Sequence, residues 1–201
     1  MGKPKPLLDF DGETTISLVL AACRGSRVAE TMLVLGSDAD RIQEEVVRSG
    51  GGARQTSVKM IRNTRPENGQ TSSLKTGLEA TSGSSDGFIV FPVDHPLVTG
   101  ADIDALIDRI ESHPRGRTIF VPTFEDQRGH PVLFGASHRG PILELGDDEP
   151  LHNYVRVREA EIDRVPVVNQ GVIRGMNTPQ EYAALLAAYR QRQAPRPADR
   201  I

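Results

Sequence analysis

A chain of 201 residues with a formal charge of −3 is long enough to bury a real core but carries no basic footprint for nucleic acid. Aromatic residues make up 4% of it and Trp is absent, which removes the stacking platforms that hold single strands, and its one cysteine rules out an internal disulfide framework. No apolar run approaches the length of a membrane span, so the chain is expected to be soluble and cytoplasmic.

The sequence opens with MGKPKPLLDFDGET, in which Lys3 and Lys5 are either solvated charges or reach a phosphate. Next, TTISLVLAACRGSRVAET (Thr14 to Thr31) admits three readings. LAAC resembles the end of a lipoprotein signal, but Asp9, Asp11 and Glu13 stand directly before an apolar run that should follow basic residues. LAACRGSR resembles a glycine-rich phosphate loop, yet the next strand-like run begins at Thr31. That leaves no room for the crossover of about a dozen residues that joins two parallel strands. Cys23 would also sit where only Gly adopts a positive φ cheaply. Ile16, Val19, Leu20 and Cys23 instead follow the i, i+3, i+4, i+7 spacing of one helix face, with Thr14 or Thr15 as cap and Gly25 as stop. A helix with Cys23 on its core face is expected.

TMLVLG (Thr31 to Gly36) reads as a strand, followed by a helix from about Asp38 to Ser49 with Ile42, Val46 and Val47 inward. Gly50 to Gly52 break that helix, and SVKMI (Ser57 to Ile61) is a second strand. The polar loop RNTRPENGQT leads to a helix from Ser72 to about Thr81 carrying Leu74 and Leu78. GFIVFP (Gly87 to Pro92) is continuously apolar, the pattern of a strand buried on both faces. A helix from about Ala101 to Ser112 points Ile103, Leu106, Ile107 and Ile110 inward, and TIFVP (Thr118 to Pro122) is the next strand. HPVLF, DRVPVV and GVI are shorter strands, the last helix runs from Pro179 to about Arg192, and residues 193–201 form a disordered tail beyond a single domain of residues 1–192. Alternating strands and helices imply a mostly parallel, Rossmann-like sheet with helices on both faces. Ligands in such sheets bind outside the carboxyl ends of the strands, which directs attention to Asn63 to Ser73, Val93 to Thr99 and Glu125 to Pro131.

Asp94 lies just past the apolar strand. A carboxylate there holds a hard cation such as Mg²⁺ that bridges phosphates, or caps a turn; position alone does not choose between them. His95 is a ligand or an ordinary loop residue. Thr71 and Ser72 suit an anion or a base edge, or serve as a plain helix cap. His130 reads as a phosphate contact, a proton-transfer group or a turn residue. In GMNTPQEYAALL, Asn177 or Thr178 caps the last helix and Pro179 occupies its first position, an arrangement that needs no function.

Together these pieces resemble the MobA-like nucleotidyltransferases, most closely the molybdenum cofactor cytidylyltransferases. MGKPKPLLDFDGET resembles the family's R-M-G-x-P-K-x-L-L-x-x-x-G-x-T, which places its signature lysine at Lys5. GQTSSLKTGL is similar to G-x-S-S-S-L-x-x-G-L, VDHPLVT to D-x-P-L-V-T, and RGHPVLF to R-G-H-P-V-x-F. The resemblance implies a three-layer sheet of the nucleotide-diphospho-sugar transferase type. It also implies transfer of CMP from CTP to a phosphate monoester, with molybdopterin as the acceptor and release of pyrophosphate. Asp94 would bind Mg²⁺, Lys5 would stabilise developing charge, and Gln70, Ser72 and Ser73 would position the nucleotide. Arg128 and His130 would face the acceptor. Where the family shows D-I-D-T-P, this chain has GMNTP, so Asn177 would be a weaker metal donor than a carboxylate. The family's first strand and its loop L-A-A-G-x-S-x-R come immediately before M-G, so Met1 falls where that loop has just ended. A gap beside TMLVLG and GFIVFP is therefore expected, with LAACRGSR lying where the family has its first helix. A molybdoenzyme or its chaperone is the implied partner protein. A non-catalytic pterin- or partner-binding homologue, and guanylyl or sugar-phosphate transfer, stay open beside the cytidylyl reading.

Overall fold

Asp11 and Gly12, both at positive φ (53° and 97°), make the tight turn of a hairpin between β1 (Asp9–Phe10) and β2 (Glu13–Thr14). Asp-Gly is a pair that such turns favour. The structure, a computed structural model, describes residues 2–49, 58–112 and 118–194. Met1, the expected break at Gly50 to Gly52, the expected start of the second strand at Ser57 and the tail beyond residue 194 lie outside the described residues.

From the hairpin the chain enters α1 (Thr15–Arg24), started by the Thr14 hydroxyl, which accepts the Ser17 N–H, and closed at Gly25. Ile16, Val19 and Leu20 are buried and Cys23 is half-buried, so LAACRGSR is a helix end and not a phosphate loop. β3 (Thr31–Leu35) and β4 (Val58–Arg62) pair in parallel, with α2 (Ala39–Arg48) between them in sequence. α2 buries Ala39, Ile42 and Val46, whereas Val47, expected inward, is 66% exposed. Each step along a helix turns the side chain by about 100°, so Val47 leaves the face that Val46 occupies.

α3 (Gln70–Ala80) begins ahead of the expected Ser72, because Gly69 at φ 95° lets the chain enter the helix there. Thr71 and Ser72 thus lie in the first turn and neither is the cap. Then come β5 (Gly87–Val90), α4 (Gly100–Ser112), β6 (Ile119–Phe124), β7 (Gln127–Arg128), β8 (Val132–Gly135), α5 (Arg139–Leu143), α6 (Leu151–Arg156), β9 (Ile162–Pro166) and α7 (Pro179–Gln193). β8 runs antiparallel between β5 and β6, and β9 pairs with β6 in parallel, so β5, β6 and β9 share one direction. The α/β class and its shared strand direction hold, with one reversed strand inserted. The segment from Glu125 to Pro131 is less open than its polar sequence suggests. Glu125 and Asp126, both at positive φ, turn β6 back into β7. GVI is a 3-10 turn (Gln170–Ile173), not a strand, because the Asn169 side chain accepts the Gly171 N–H and bends the chain.

Two helices clamp the sheet pieces from opposite faces. α3 packs Leu74 and Leu78 against Phe88 and Val90, and its Gly77 lies against Val34. α1 packs Ile16 and Leu20 with Leu35, and Ala22 and Cys23 with Ile89 and Phe91. The alternation of Phe88, Ile89, Val90 and Phe91 between the two helices is the period of a strand. Among the described residues β3 is paired only with β4, and β5 only with β8. With one edge free, β5 is half-buried along its length and not enclosed on both faces as its composition predicts.

α7 closes the molecule over the N-terminal hairpin. Thr178 and Glu181 form a capping box at its start. Tyr182 and Tyr189 meet the buried Phe10 ring edge-on, Tyr189 donates to Glu13 (2.6 Å), and Arg190 pairs with Asp11 (2.6 Å).

Burial pushes the Cys23 thiol up to about 11, so about a thousandth of it is thiolate at pH 8. Thiol titration with a chromogenic disulfide is expected to be correspondingly slow in the native protein and fast in urea. Cys23→Ser is expected to cost about 1 kcal/mol of stability, because a half-buried hydroxyl replaces a thiol packed among apolar groups. An unchanged melting temperature would show that the Cys23 side chain adds nothing to the packing of α1.

Candidate functional site

The loop that follows β5 is held by a buried carboxylate. Asp102, 4% exposed, accepts the Thr99 N–H (2.8 Å), the Thr99 hydroxyl (2.8 Å) and the Asn169 amide (2.6 Å). The same Asn169 nitrogen donates to the Leu97 carbonyl (2.9 Å). This ties the loop carrying Asp94 and His95 to the segment that leads into Asn177 and α7. The Met176 N–H donates to the Asp94 carbonyl (3.1 Å) and completes the join.

Five of the residues raised by the sequence meet there: Lys5, Asp94, His95, His130 and Asn177. The Lys5 ammonium, on a 3-10 turn (Lys5–Leu7) ahead of the hairpin, donates to Asn177 Oδ1 (2.6 Å) and stands 3.8 Å from Asp94 Oδ2. His95 Nδ1 lies 2.8 Å from Asp94 Oδ1, and the His95 and His130 rings are 4.7 Å apart, centre to centre. Gly175 lies flat on His95: a Cβ there would come within 3.0 Å of the ring. Asn177 therefore follows a residue position that only glycine fits without displacing the imidazole. The His130 backbone N–H donates to the Val172 carbonyl (2.8 Å), while its buried Nδ1 has no partner.

Burial works against ionisation of Asp94. The hydrogen bond and charge of His95, with Lys5 beyond it, outweigh that effect and hold the carboxyl below its ordinary range. His130 is pushed down to about 4, mainly by burial and further by the neighbouring His95, so its ring is neutral at pH 7. A cavity of about 410 Å³ opens beside these groups, lined among others by His95, His130, Arg174, Gly175, Asn177 and Glu181. Arg174, which directly precedes GMNTP, was not among the residues singled out in the sequence. Arg128 does not line the cavity; it is engaged in an ion pair with Glu159.

The other expected residues form a second group at the start of α3. Asn63, buried just past the carboxyl end of β4, donates to the hydroxyls of Ser72 (2.9 Å) and Ser73 (3.0 Å) and accepts the Arg65 N–H (2.9 Å). Ser72 donates on to the Gly69 carbonyl (2.9 Å), and Gln70 is exposed at the first helical position. The sequence reading marks the loop that begins at Asn63 but assigns that residue no role, although it follows a strand as Asp94 does. Lys75 pairs with Asp147 (2.8 Å) and Thr71 donates to the Glu149 carbonyl (2.5 Å), which fixes the far side of this helix start.

A divalent cation fits the first group. Asp94 and Asn177 direct two hard oxygens at one cationic centre, here the Lys5 ammonium. One carboxylate and few other protein donors is the sparse set with which Mg²⁺ is held when substrate phosphates and water complete its shell. Among the described residues no group of three or more His, Cys, Asp or Glu side chains forms a self-sufficient metal cage.

Comparison with known proteins now bears on this geometry. The MobA-like NTP transferase domain matches residues 1–165. The Bifunctional protein GlmU of Synechococcus sp. (strain CC9311) is 24% identical over 131 residues, which is 65% of this chain and 27% of that protein. The chain thus spans under a third of the length of that curated relative. Among solved structures, Rv0371c of Mycobacterium tuberculosis H37Rv in complex with manganese has a TM-score of 0.73 at 24% identity, covering 92% of this chain and 93% of that one. A nucleotidyl transferase from Methanothermobacter thermautotroptrophicus (Mth528) has a TM-score of 0.74 at 21% identity, covering 94% and 86%. These likenesses show the fold.

The displaced His130 has a consequence for stability. Its ordinary value is 6.5 and its folded value about 4, so between those pH values the unfolded chain binds a proton that the folded chain refuses. The contribution is complete above pH 6.5 and is lost as pH falls towards 4, with a slope of up to about 1.4 kcal/mol per pH unit. Urea unfolding followed from about pH 7 down to pH 5 is expected to show this slope in the wild type and a flatter one in His130→Asn. Equal slopes would mean that His130 titrates alike in both states.

Proposed function

This chain belongs to the MobA-like NTP transferase domain family, and we propose that it transfers CMP from CTP to a molybdopterin-type phosphate monoester with release of pyrophosphate. The observation that carries this reading is the convergence of Lys5, Asp94 and Asn177 beyond the carboxyl end of β5, beside a cavity walled by two imidazoles and Arg174. The lysine-side pattern P-K-x-L-L favours the cytidylyl over the guanylyl branch. In the reaction a phosphate oxygen of the acceptor forms a bond to the α-phosphorus of CTP as the bond from that phosphorus to pyrophosphate breaks. No covalent enzyme intermediate is needed.

Each residue has a definable task. Asp94, with Asn177 as the weaker donor, would hold Mg²⁺ or Mn²⁺, and the bound cation would neutralise phosphate oxygens. Lys5 would stabilise the charge that develops on the phosphates in the transition state. Ser72 and Ser73, oriented by Asn63, and the exposed Gln70 would position the nucleotide. His130, neutral at pH 7 and lining the cavity, would face the acceptor, and Arg174 would offer a charge to its phosphate.

Asp94→Asn is expected to lower pyrophosphate release from CTP by at least about a hundredfold while leaving circular dichroism and melting temperature close to wild type. Unfolding of the variant, together with no detectable metal binding by the wild type, would mark Asp94 as a turn cap.

A further inference from the structure

The Lys5 ammonium stands between the two oxygens assigned above to the divalent cation, 2.6 Å from Asn177 Oδ1 and 3.8 Å from Asp94 Oδ2. Asp94 Oδ1 faces His95, Asn177 has a single side-chain oxygen, and one oxygen of the nearby Glu181 carboxylate accepts the N–H groups of Asn177 (2.6 Å) and Thr178 (2.8 Å). A metal ion bonded to oxygens at about 2.0–2.1 Å needs the same face of the same two groups. We propose that Lys5 is a resident counter-ion that keeps the metal position closed in the nucleotide-free protein, and that the triphosphate opens it by drawing the ammonium onto phosphate. The inference rests on the reading of Asp94 and Asn177 as metal donors.

The chain around Lys5 fits such an exchange. Its backbone is fixed between Pro4 and Pro6, in a turn whose following hairpin is clamped by α7, so the backbone does not travel. Its side chain is 35% exposed, and a lysine has a flexible four-carbon stem with three donors that reorient freely. The ammonium can therefore leave the two oxygens while the rest of the site stays in place. Metal and nucleotide would then bind with positive coupling, because each favours the state in which Lys5 has moved.

The test is Mn²⁺ binding to the full chain without nucleotide, read from the electron paramagnetic resonance signal of free Mn²⁺. Lys5→Met is expected to bind Mn²⁺ about five- to tenfold more tightly than wild type, the scale of removing a half-exposed ion pair and a like charge. Lys5→Arg, which keeps the cation, is expected to stay near wild type, and Asp94→Asn to abolish binding in either background. Should Lys5→Met fail to fold by circular dichroism, Lys5→Gln is read in the same way. Unchanged or weaker binding by the neutral variants, with binding still dependent on Asp94, would overturn the counter-ion role and leave the metal site standing. Absence of Asp94-dependent binding in every protein would overturn both.

Discussion

A carboxylate that cannot reach water organises the site. Asp102 is buried, and a buried charge left without partners costs several kcal/mol, so the fold must bring donors to it. It does so from two places distant in sequence: Thr99, past the loop of Asp94 and His95, and Asn169, ahead of Asn177. Satisfying one side chain thereby fixes two loops against each other. α7 departs from that junction and reaches across to the N-terminal hairpin, and the hairpin in turn fixes the turn on which Lys5 sits.

The two groups of polar residues differ in how they are held. Around Asp94 one contact is to the adjacent His95 and one to Lys5, distant in sequence, and the imidazole of His130 is left without a partner for one nitrogen. At the start of α3, by contrast, Asn63, Ser72 and Gly69 satisfy one another within a short stretch of chain. Among the described residues that His130 nitrogen is the one buried side-chain polar atom left without a hydrogen bond.

Much of this was legible in the sequence, and the reasons are local. The i, i+3, i+4 pattern from Ile16 to Cys23 fixes α1 whatever surrounds it, and the place of Asp94 just past an apolar strand is where the structure has it. The misreadings arise where a distant partner or a backbone conformation decides. Val47 is as apolar as Val46, and only the helix phase against β3 separates them. The turn at Glu125 and Asp126 lacks the glycine that usually announces positive φ, so a hairpin passed for a loop. Arg174 and Asn63 match no quoted motif residue; Arg174 reaches the cavity beside His95, and Asn63 is fixed by Ser72 and Ser73 of the next helix. Nothing in the letters around β5 foretells that an antiparallel strand, β8, would be its sole neighbour among the described residues.

The contact between Lys5 and Asn177 spans 172 positions. Chains are synthesised from the amino terminus, at about 5–20 residues per second. Lys5 therefore leaves the ribosome well before the amide that receives it, which follows 172 positions later. Until then the lysine has no partner from α7, and the core of α1, β3 and α2 can settle around Leu35 without it. The nascent protein would acquire its sheet and helices before it acquires its chemistry. An incomplete chain released before α7 would retain most of the hydrophobic core yet lack the closing contact that defines the site.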